Sequence, residues 1–432
     1  MLSTRGQKYR EIGYQHGLLD EYNEETNPNG IVDLSSAENF LIHGEVIQFI
    51  NSHKLDASCC GYGEGYTGTL RLRKAMALHM NEYCNPFEPL TAEHITFAAG
   101  VTDLNEVCAL LTCDADCGDA ILLGKPNYGS FARDMVSRGH ISQVFADFGG
   151  ADQFSSDCVP YYLKAYDAAK EEGINIKALV ICNPHNPLGQ CYSREALIEL
   201  MKFCQSKQIH LISDEIYALS TYQRTDRPSE KYVSVFAIDS RQFVDPNLIH
   251  VLYGLSKDYG AAGLRLGCLI TRNAEFSDAA RSLCRFSSPS QISMSLAAAL
   301  LEDRIFLKSL LESSHSALYK SRKVAEVALE QVGIKYHREG NAGLFLWLDL
   351  RPYLPTTVTN GDEWAAEKLL WNRFENIGVQ VSLGKRYFAP NPGHFRMVFS
   401  NHESVVLEGI RRIKTVCNRS KNKSDWPCQS LS

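Results

Sequence analysis

"YGLSKDYGAAGLRLG" (residues 253–267) sets a single lysine, Lys257, in a run of small residues, with Arg265 eight positions on. Val251 and Leu252 precede the stretch, so an apolar strand ends just before the lysine. Gly260, Ala261, Ala262 and Gly263 follow it, and their small side chains let backbone or a ligand come close. A lysine held in such a place loses water, and a desolvated amine serves as nucleophile or base. The plain alternative is a solvated loop lysine, as most lysines are. What the other strands deliver beside it decides between the two.

Outward from this stretch, strand and helix patterns alternate. "HITFAAG" (94–100), "DAILLG" (119–124), "ALVICNP" (178–184), "IHLISDE" (209–215) and "LIHVLYGLS" (248–256) read as buried strands. Between them come helices. "TLRLRKAMALHMNEY" (69–83) carries Leu70, Leu72, Met76, Leu78 and Met80. "TDLNEVCALLTC" (102–113) opens just after a strand. "SREALIELMKFCQSK" (193–207) has Ser193 as its cap. Such alternation predicts an α/β fold with a mostly parallel sheet sandwiched by helices. The last third differs. A long helical segment runs from about Gln291 to Val332. Strand "GLFLWLDL" (343–350), helix "GDEWAAEKLLWNRFENIG" (361–378) and strands "VQVSLG" (379–384) and "HFRMVFS" (394–400) follow it, predicting a smaller α+β domain. The expected division is an N-terminal segment 1–45 packing on the small domain, a large domain 46–295, a small domain 296–417 and a disordered tail 418–432.

The chain has 432 residues, 44% hydrophobic and 22% charged, as in a soluble globular protein. Its net charge of −6 gives no electrostatic reason to bind nucleic acid or an anionic membrane. No apolar run is long enough to span a bilayer, and the N-terminus lacks the apolar core of a signal peptide. The expectation is a cytoplasmic protein. Its 14 cysteines show no paired metal-binding spacing and are read as reduced thiols, many of them buried. No metal is expected.

Ligands in open α/β sheets bind beyond the carboxyl ends of the strands. The strand ending at Ala98 leads to Val101 and Thr102 at a helix start, where free N–H groups attract an anion. The strands at 178–182, 209–213 and 248–253 deliver Asn186, then Asp214 and Tyr217, then Ser256 and Lys257 with Arg265 near. Each has a plain alternative: Asp214 and Thr102 as caps, Asn186 as turn chemistry, Tyr217 as core. A common need explains them together. A phosphorylated pyridine aldehyde calls for an amine, a carboxylate for the ring nitrogen, donors for the ring hydroxyl and a phosphate cradle.

The ordered motifs resemble the fold-type I pyridoxal phosphate enzymes, and within them the 1-aminocyclopropane-1-carboxylate (ACC) synthase branch of the class I aminotransferases. The segments that carry this are "NPNGIVDLSSAEN" (27–39), "GEGYTGTLRLRKAMA" (63–77), "AAGVTDLNE" (98–106), "KPNYGSF" (125–131), "NPHNPLG" (183–189), "SDEIY" (213–217), the quoted lysine stretch, "GNAGLFLWLDL" (340–350) and "PGHFRMVFS" (392–400). The resemblance implies pyridoxal 5'-phosphate on Lys257, with Asp214 on the ring nitrogen and Tyr217 and Asn186 on the ring hydroxyl. It puts Tyr128 on the ring face and Val101, Thr102, Ser256 and Arg265 on the phosphate. Glu38 and Arg396 would meet an amino-acid substrate, Arg396 through its α-carboxylate. Tyr66 would reach cofactor and substrate in the neighbouring subunit of a homodimer.

Three features depart from the pattern. Gly254 stands where the family commonly has a phosphate-binding serine. The "SPGSSF"-type segment reads "SLGKRYF" (382–388), adding Lys385 and Arg386. The loop 126–131 has Asn127 and Gly129. The expected activity is therefore ACC synthase-like or aminotransferase chemistry through a Cα carbanion. C–S β-lyase action on a cysteine conjugate in secondary metabolism is the alternative, with Lys385 and Arg386 gripping a distal carboxylate. A non-catalytic scaffold is the alternative of another class.

Overall fold

The computed structural model describes residues 1–12, 20–227 and 229–420. At its centre lies a seven-stranded sheet in the order Ile95–Ala98, Gly267–Thr271, Ile249–Gly254, His210–Asp214, Asn175–Cys182, Asp119–Lys125, Ser142–Asp147. Gly267–Thr271 runs antiparallel to both neighbours and every other pairing is parallel. Successive side chains enter two different cores: Ala120 and Leu122 one, Ile121 and Leu123 the other. Helices Leu70–Tyr83, Val159–Glu171, Arg194–Lys207 and Gln291–Glu302 contribute to the first core. Val101–Thr112 and Ala274–Leu283 contribute to the second. Burial on both faces is why these strands read as unbroken apolar runs.

A four-stranded antiparallel sheet, Ser382–Leu383, His394–Val398, Phe345–Asp349 and Lys335–Tyr336, forms the second layer system. Leu370 and Phe374 of helix Glu363–Asn376 and Val406 and Ile410 of helix Glu403–Ser420 pack on it. Val32–Asp33 pairs in parallel with Val379–Gln380, and Val32 and Leu34 join this smaller core. Ile42, with Val46 after it, joins the large one, so the stretch from Val32 to Ile42 serves both cores. The large core continues through Leu311 and the small one opens at Leu318. The two therefore meet inside helix Arg304–Gln331, beyond residues 295–296.

Several details differ from the sequence reading. The helical segment 291–332 is two helices, because Asp303 ends the first and caps the second, accepting from the Phe306 N–H at 3.0 Å. "VQVSLG" is two short strands in different sheets. Leu70 and Leu78 face solvent; Leu72, Met76 and Met80, four residues apart, are buried, with Ala75, Ala77 and His79 beside them. Strands Ser142–Asp147 and Gly267–Thr271 were not foreseen: the first is a half-exposed edge, and the second follows directly on the lysine stretch. Residues 418–420 belong to the last helix, and 421–432 lie outside the described residues. Ser193 caps its helix as expected, accepting from the Ala196 N–H at 3.1 Å.

Candidate active site

Strand register gathers the site. Cys182 pairs with Asp214, Asp214 with Leu252, Gly254 with Gly267, and Gly267 with Ala98. Four strand ends therefore lie side by side, and their following loops share one edge of the sheet. A cavity of about 600 Å³ opens there. It is lined by Val101, Thr102, Tyr128, Asn186, Asp214 and Tyr217, and also by Ser256, Lys257, Arg265, Glu38 and Arg396. Tyr66 is the one residue of the expected set that does not line it. That ring is 40% exposed, 5.8 Å from the Arg285 guanidinium.

The helix Val101–Thr112 begins at Gly100, whose φ of 104° suits only glycine. A Cβ on Gly100 would lie 2.8 Å from Arg265 Nη2, and one on Gly267 would lie 2.5 Å from the Val101 nitrogen. Glycine at both positions lets the helix start sit against the sheet with a guanidinium beside it. Free N–H groups, the Thr102 hydroxyl and Arg265 together suit a phosphate. Gly254 has a similar cause. A Cβ there would lie 2.7 Å from the Leu266 carbonyl oxygen, so a serine would need the neighbouring strand to move.

Lys257 Nζ donates to the Ala37 carbonyl at 2.7 Å. Burial, reinforced by Arg396, pushes its amine down to about 8, while Glu38 pulls the other way. Asp214, 3% exposed, accepts from the Ile216 N–H at 3.1 Å. Burial pushes its carboxyl up to about 7, helped by the carboxyls of Asp134 and Glu215 and opposed by Ile216 and Lys257. A cationic ring nitrogen beside it would reverse that shift. Tyr217 is buried edge-on against Phe345, with ring centres 5.4 Å apart. Tyr128 stands perpendicular to Phe131 at 5.2 Å.

Arg396 crosses from the small sheet, where it pairs with Trp347 and Ser382. Its guanidinium lies 5.0 Å from each of the Phe345 and Tyr387 rings. Each such contact is worth about 1 kcal/mol. Nη1 donates to Asn186 Oδ1 at 3.2 Å, Nη2 to the Ser35 carbonyl, and Nε is buried without a partner. A planar fork with an unfilled donor suits a carboxylate. Amine, carboxylate, phosphate cradle and guanidinium thus share one cavity, and the residues present fit a phosphorylated pyridine aldehyde holding an amino acid.

The sequence reading missed Ser35, Ser36, Asn105, Ser130, Cys182 and Tyr387, all of which line the cavity. Asn105 was within reach, three residues after Thr102 on the same helical face. Ser35 and Ser36 enter because the segment after Val32–Asp33 crosses the mouth, which no local pattern signals. Lys385 and Arg386, read either as solvated loop charges or as a grip on a distal carboxylate, are not in the cavity wall. They are exposed, 5.7 Å from the Trp364 ring and 5.5 Å from the Trp371 ring.

This architecture, with a lysine and a carboxylate at the strand ends and an arginine from a second sheet, defines an α/β fold of the type I aminotransferase class. The chain belongs to the family described as aminotransferase class I and II, whose sequence model matches residues 31–413. Among its relatives is human "1-aminocyclopropane-1-carboxylate synthase-like protein 1", 32% identical over 447 residues, covering 100% of this chain and 86% of that protein. "1-Aminocyclopropane-1-carboxylate synthase 1" of Prunus mume is 32% identical over 418 residues, covering 94% and 82%. Among solved structures, an aspartate aminotransferase double mutant of Thermus thermophilus superposes with a TM-score of 0.73 at 20% identity. That match covers 96% of this chain and 99% of the other.

Proposed function

We propose that the protein binds pyridoxal 5'-phosphate through Lys257 and removes the Cα proton of an amino-acid substrate, in ACC synthase-like or amino-transfer chemistry. The carrying observation is that Lys257, Asp214 and Arg396 line one cavity beside a helix start flanked by Arg265. When bound, the cofactor supplies an electron sink for negative charge at Cα. Arg396 grips the substrate α-carboxylate with its fork and so fixes the direction of the Cα–H bond. Lys257, whose amine already sheds its proton near pH 8, accepts the Cα proton on Nζ. With the cofactor bound, Asp214 would hold the ring nitrogen's proton, Tyr217 and Asn186 would serve the ring hydroxyl, and Tyr128 would lie against the ring. Val101, Thr102, Ser256 and Arg265 hold the phosphate, and Glu38 stands beside the substrate.

The active form we propose is a homodimer. Tyr66 and Phe286 are exposed, Phe286 at 87%. An open apolar groove of Val46, Ile47, Ile50 and Leu264 lies at the surface. Tyr66 would complete the neighbour's site. The described cysteines are free thiols, which suits a reducing cytoplasm. Among the described residues no helix is long and apolar enough to cross a membrane.

The test starts with absorbance. Purified protein should show a visible cofactor band, and borohydride should fix the cofactor on Lys257 in a peptide map. The loaded enzyme is then offered S-adenosylmethionine, an amino acid with a keto-acid acceptor, and a cysteine S-conjugate. ACC or a new amino acid supports the reading. Pyruvate with free thiol replaces it by β-elimination. No band, or no product from any of the three, overturns it.

A further inference from the structure

We infer that Tyr387 selects the substrate side chain, and that the site takes amino acids carrying a hydrogen-bonding group there in preference to their aliphatic isosteres. This rests on the function proposed above.

The turn Gly384–Tyr387 is held from several sides. Glu367, buried, accepts from the Lys385 N–H at 3.0 Å and the Gly393 N–H at 2.7 Å. A Cβ on Gly384 would lie 2.5 Å from the His394 carbonyl oxygen, so the turn is packed against the adjoining strand. From the large sheet's side, the Asn127 N–H donates to the Tyr387 carbonyl at 2.9 Å. Gly129 presses on the same turn: a Cβ there would lie 1.6 Å from the Arg386 carbonyl oxygen, which leaves room for glycine only. Phe388, just after the turn, meets Phe145 with ring centres 4.6 Å apart. The two loops that depart from the family pattern, 126–131 and 382–388, are therefore one wall.

That wall sends the charges of Lys385 and Arg386 outward and places Tyr387 in the cavity. Its ring is fixed twice, edge-on to Trp347 at 5.7 Å and under the Arg396 guanidinium at 5.0 Å. The residue is 6% exposed. Its hydroxyl takes no hydrogen-bond partner among the described residues. Facing the cavity, the phenol gives up hydrogen bonds to water when a ligand fills that space, unless the ligand supplies a partner. The group that can supply one is the side chain of an amino acid whose α-carboxylate lies on Arg396. A site holding such a hydroxyl discriminates strongly, because an aliphatic ligand leaves the hydroxyl unpaired.

The experiment compares wild type with Tyr387→Phe, which keeps the ring and removes the hydroxyl. Two isosteric pairs, threonine with valine and asparagine with leucine, are titrated against the cofactor absorbance for Kd and assayed for kcat and KM. The wild type should prefer the polar member of at least one pair by about tenfold, in Kd as well as kcat/KM. In Tyr387→Phe that ratio should fall to near one. A wild type without preference overturns the inference, as does a variant that retains it. An equal loss for both members of a pair also overturns it, since the ring would then only hold Arg396. A wild type with no cofactor band overturns the proposed function itself, which separates the two failures.

Discussion

Lys257 Nζ donates a 2.7 Å hydrogen bond to the carbonyl of Ala37, 220 residues earlier in the chain. The neighbouring Ser35 carbonyl takes Nη2 of Arg396. One short segment thus holds both the amine and the guanidinium assigned to cofactor and substrate. Ser35, Ser36, Ala37 and Glu38 all line the cavity, so this segment forms one of its walls.

Removing the amine tests the central assignment. Lys257→Ala should lose the borohydride-fixed cofactor and at least about 100-fold in turnover, the scale of a lost general base. Peptide mapping and steady-state rates read both. Wild-type turnover in the variant would remove Lys257 from the mechanism.

Asp214 makes the stability of cofactor-stripped protein depend on pH in a defined direction. Its folded carboxyl holds a proton to about 7, while an unfolded aspartate releases it near 3.9. Between those values the folded chain binds more protons, so stability falls as pH rises from about 4 to 7. Lys257 acts in a later window. It sheds its proton at about 8 when folded and near 10.4 when unfolded, so stability rises with pH between those values. Denaturant midpoints across pH 4.5–10 read both limbs. Asp214→Asn should flatten the first limb without abolishing it, because half-buried Asp134 and buried Asp258 are also pushed up to about 7. An unchanged slope would mean that Asp214 is already ionised in the fold.

Gly129→Ala tests the wall between the two loops. The added methyl would lie 1.6 Å from the Arg386 carbonyl oxygen, far inside contact distance, so one of the two loops must move. We expect about 1–3 kcal/mol of destabilisation and a raised KM, as the Arg386–Tyr387 turn is displaced. A variant with wild-type melting and KM would show that the loops part freely.

Tyr66 should act across a subunit interface. Mixing Tyr66→Ala with Lys257→Ala subunits, each inactive alone, should restore activity in mixed dimers, where one of the two sites carries both native residues. Absence of rescue, with exchange demonstrated by differently tagged subunits, would place Tyr66 outside the shared site.

The sequence determined five of the seven strands of the large sheet and the polar residues at their ends. Buried parallel strands appear as continuous apolar runs, and their loops carry polar residues at fixed offsets, so Asp214, Asn186 and Lys257 could be placed at strand ends from one-dimensional pattern alone. The glycines at 100 and 267 were legible as letters, but only tertiary structure gave their reason, which is the approach of a helix start to a neighbouring strand. The same holds for Gly254, which marks a close strand contact as well as a lost hydroxyl. Tertiary structure alone decided which way the loop 382–388 turns. Sequence left two readings of its charges, Lys385 and Arg386, as solvated loop residues or as a grip on a distal carboxylate, and the fold bears out the solvated one. Asn127 and Gly129 from one distant loop and Glu367 from a helix fix the turn so that the charges meet solvent and Trp364 and Trp371 while Tyr387 enters the cavity. A side chain's direction in a loop is set by what packs against the backbone around it, and those partners are far away in the chain.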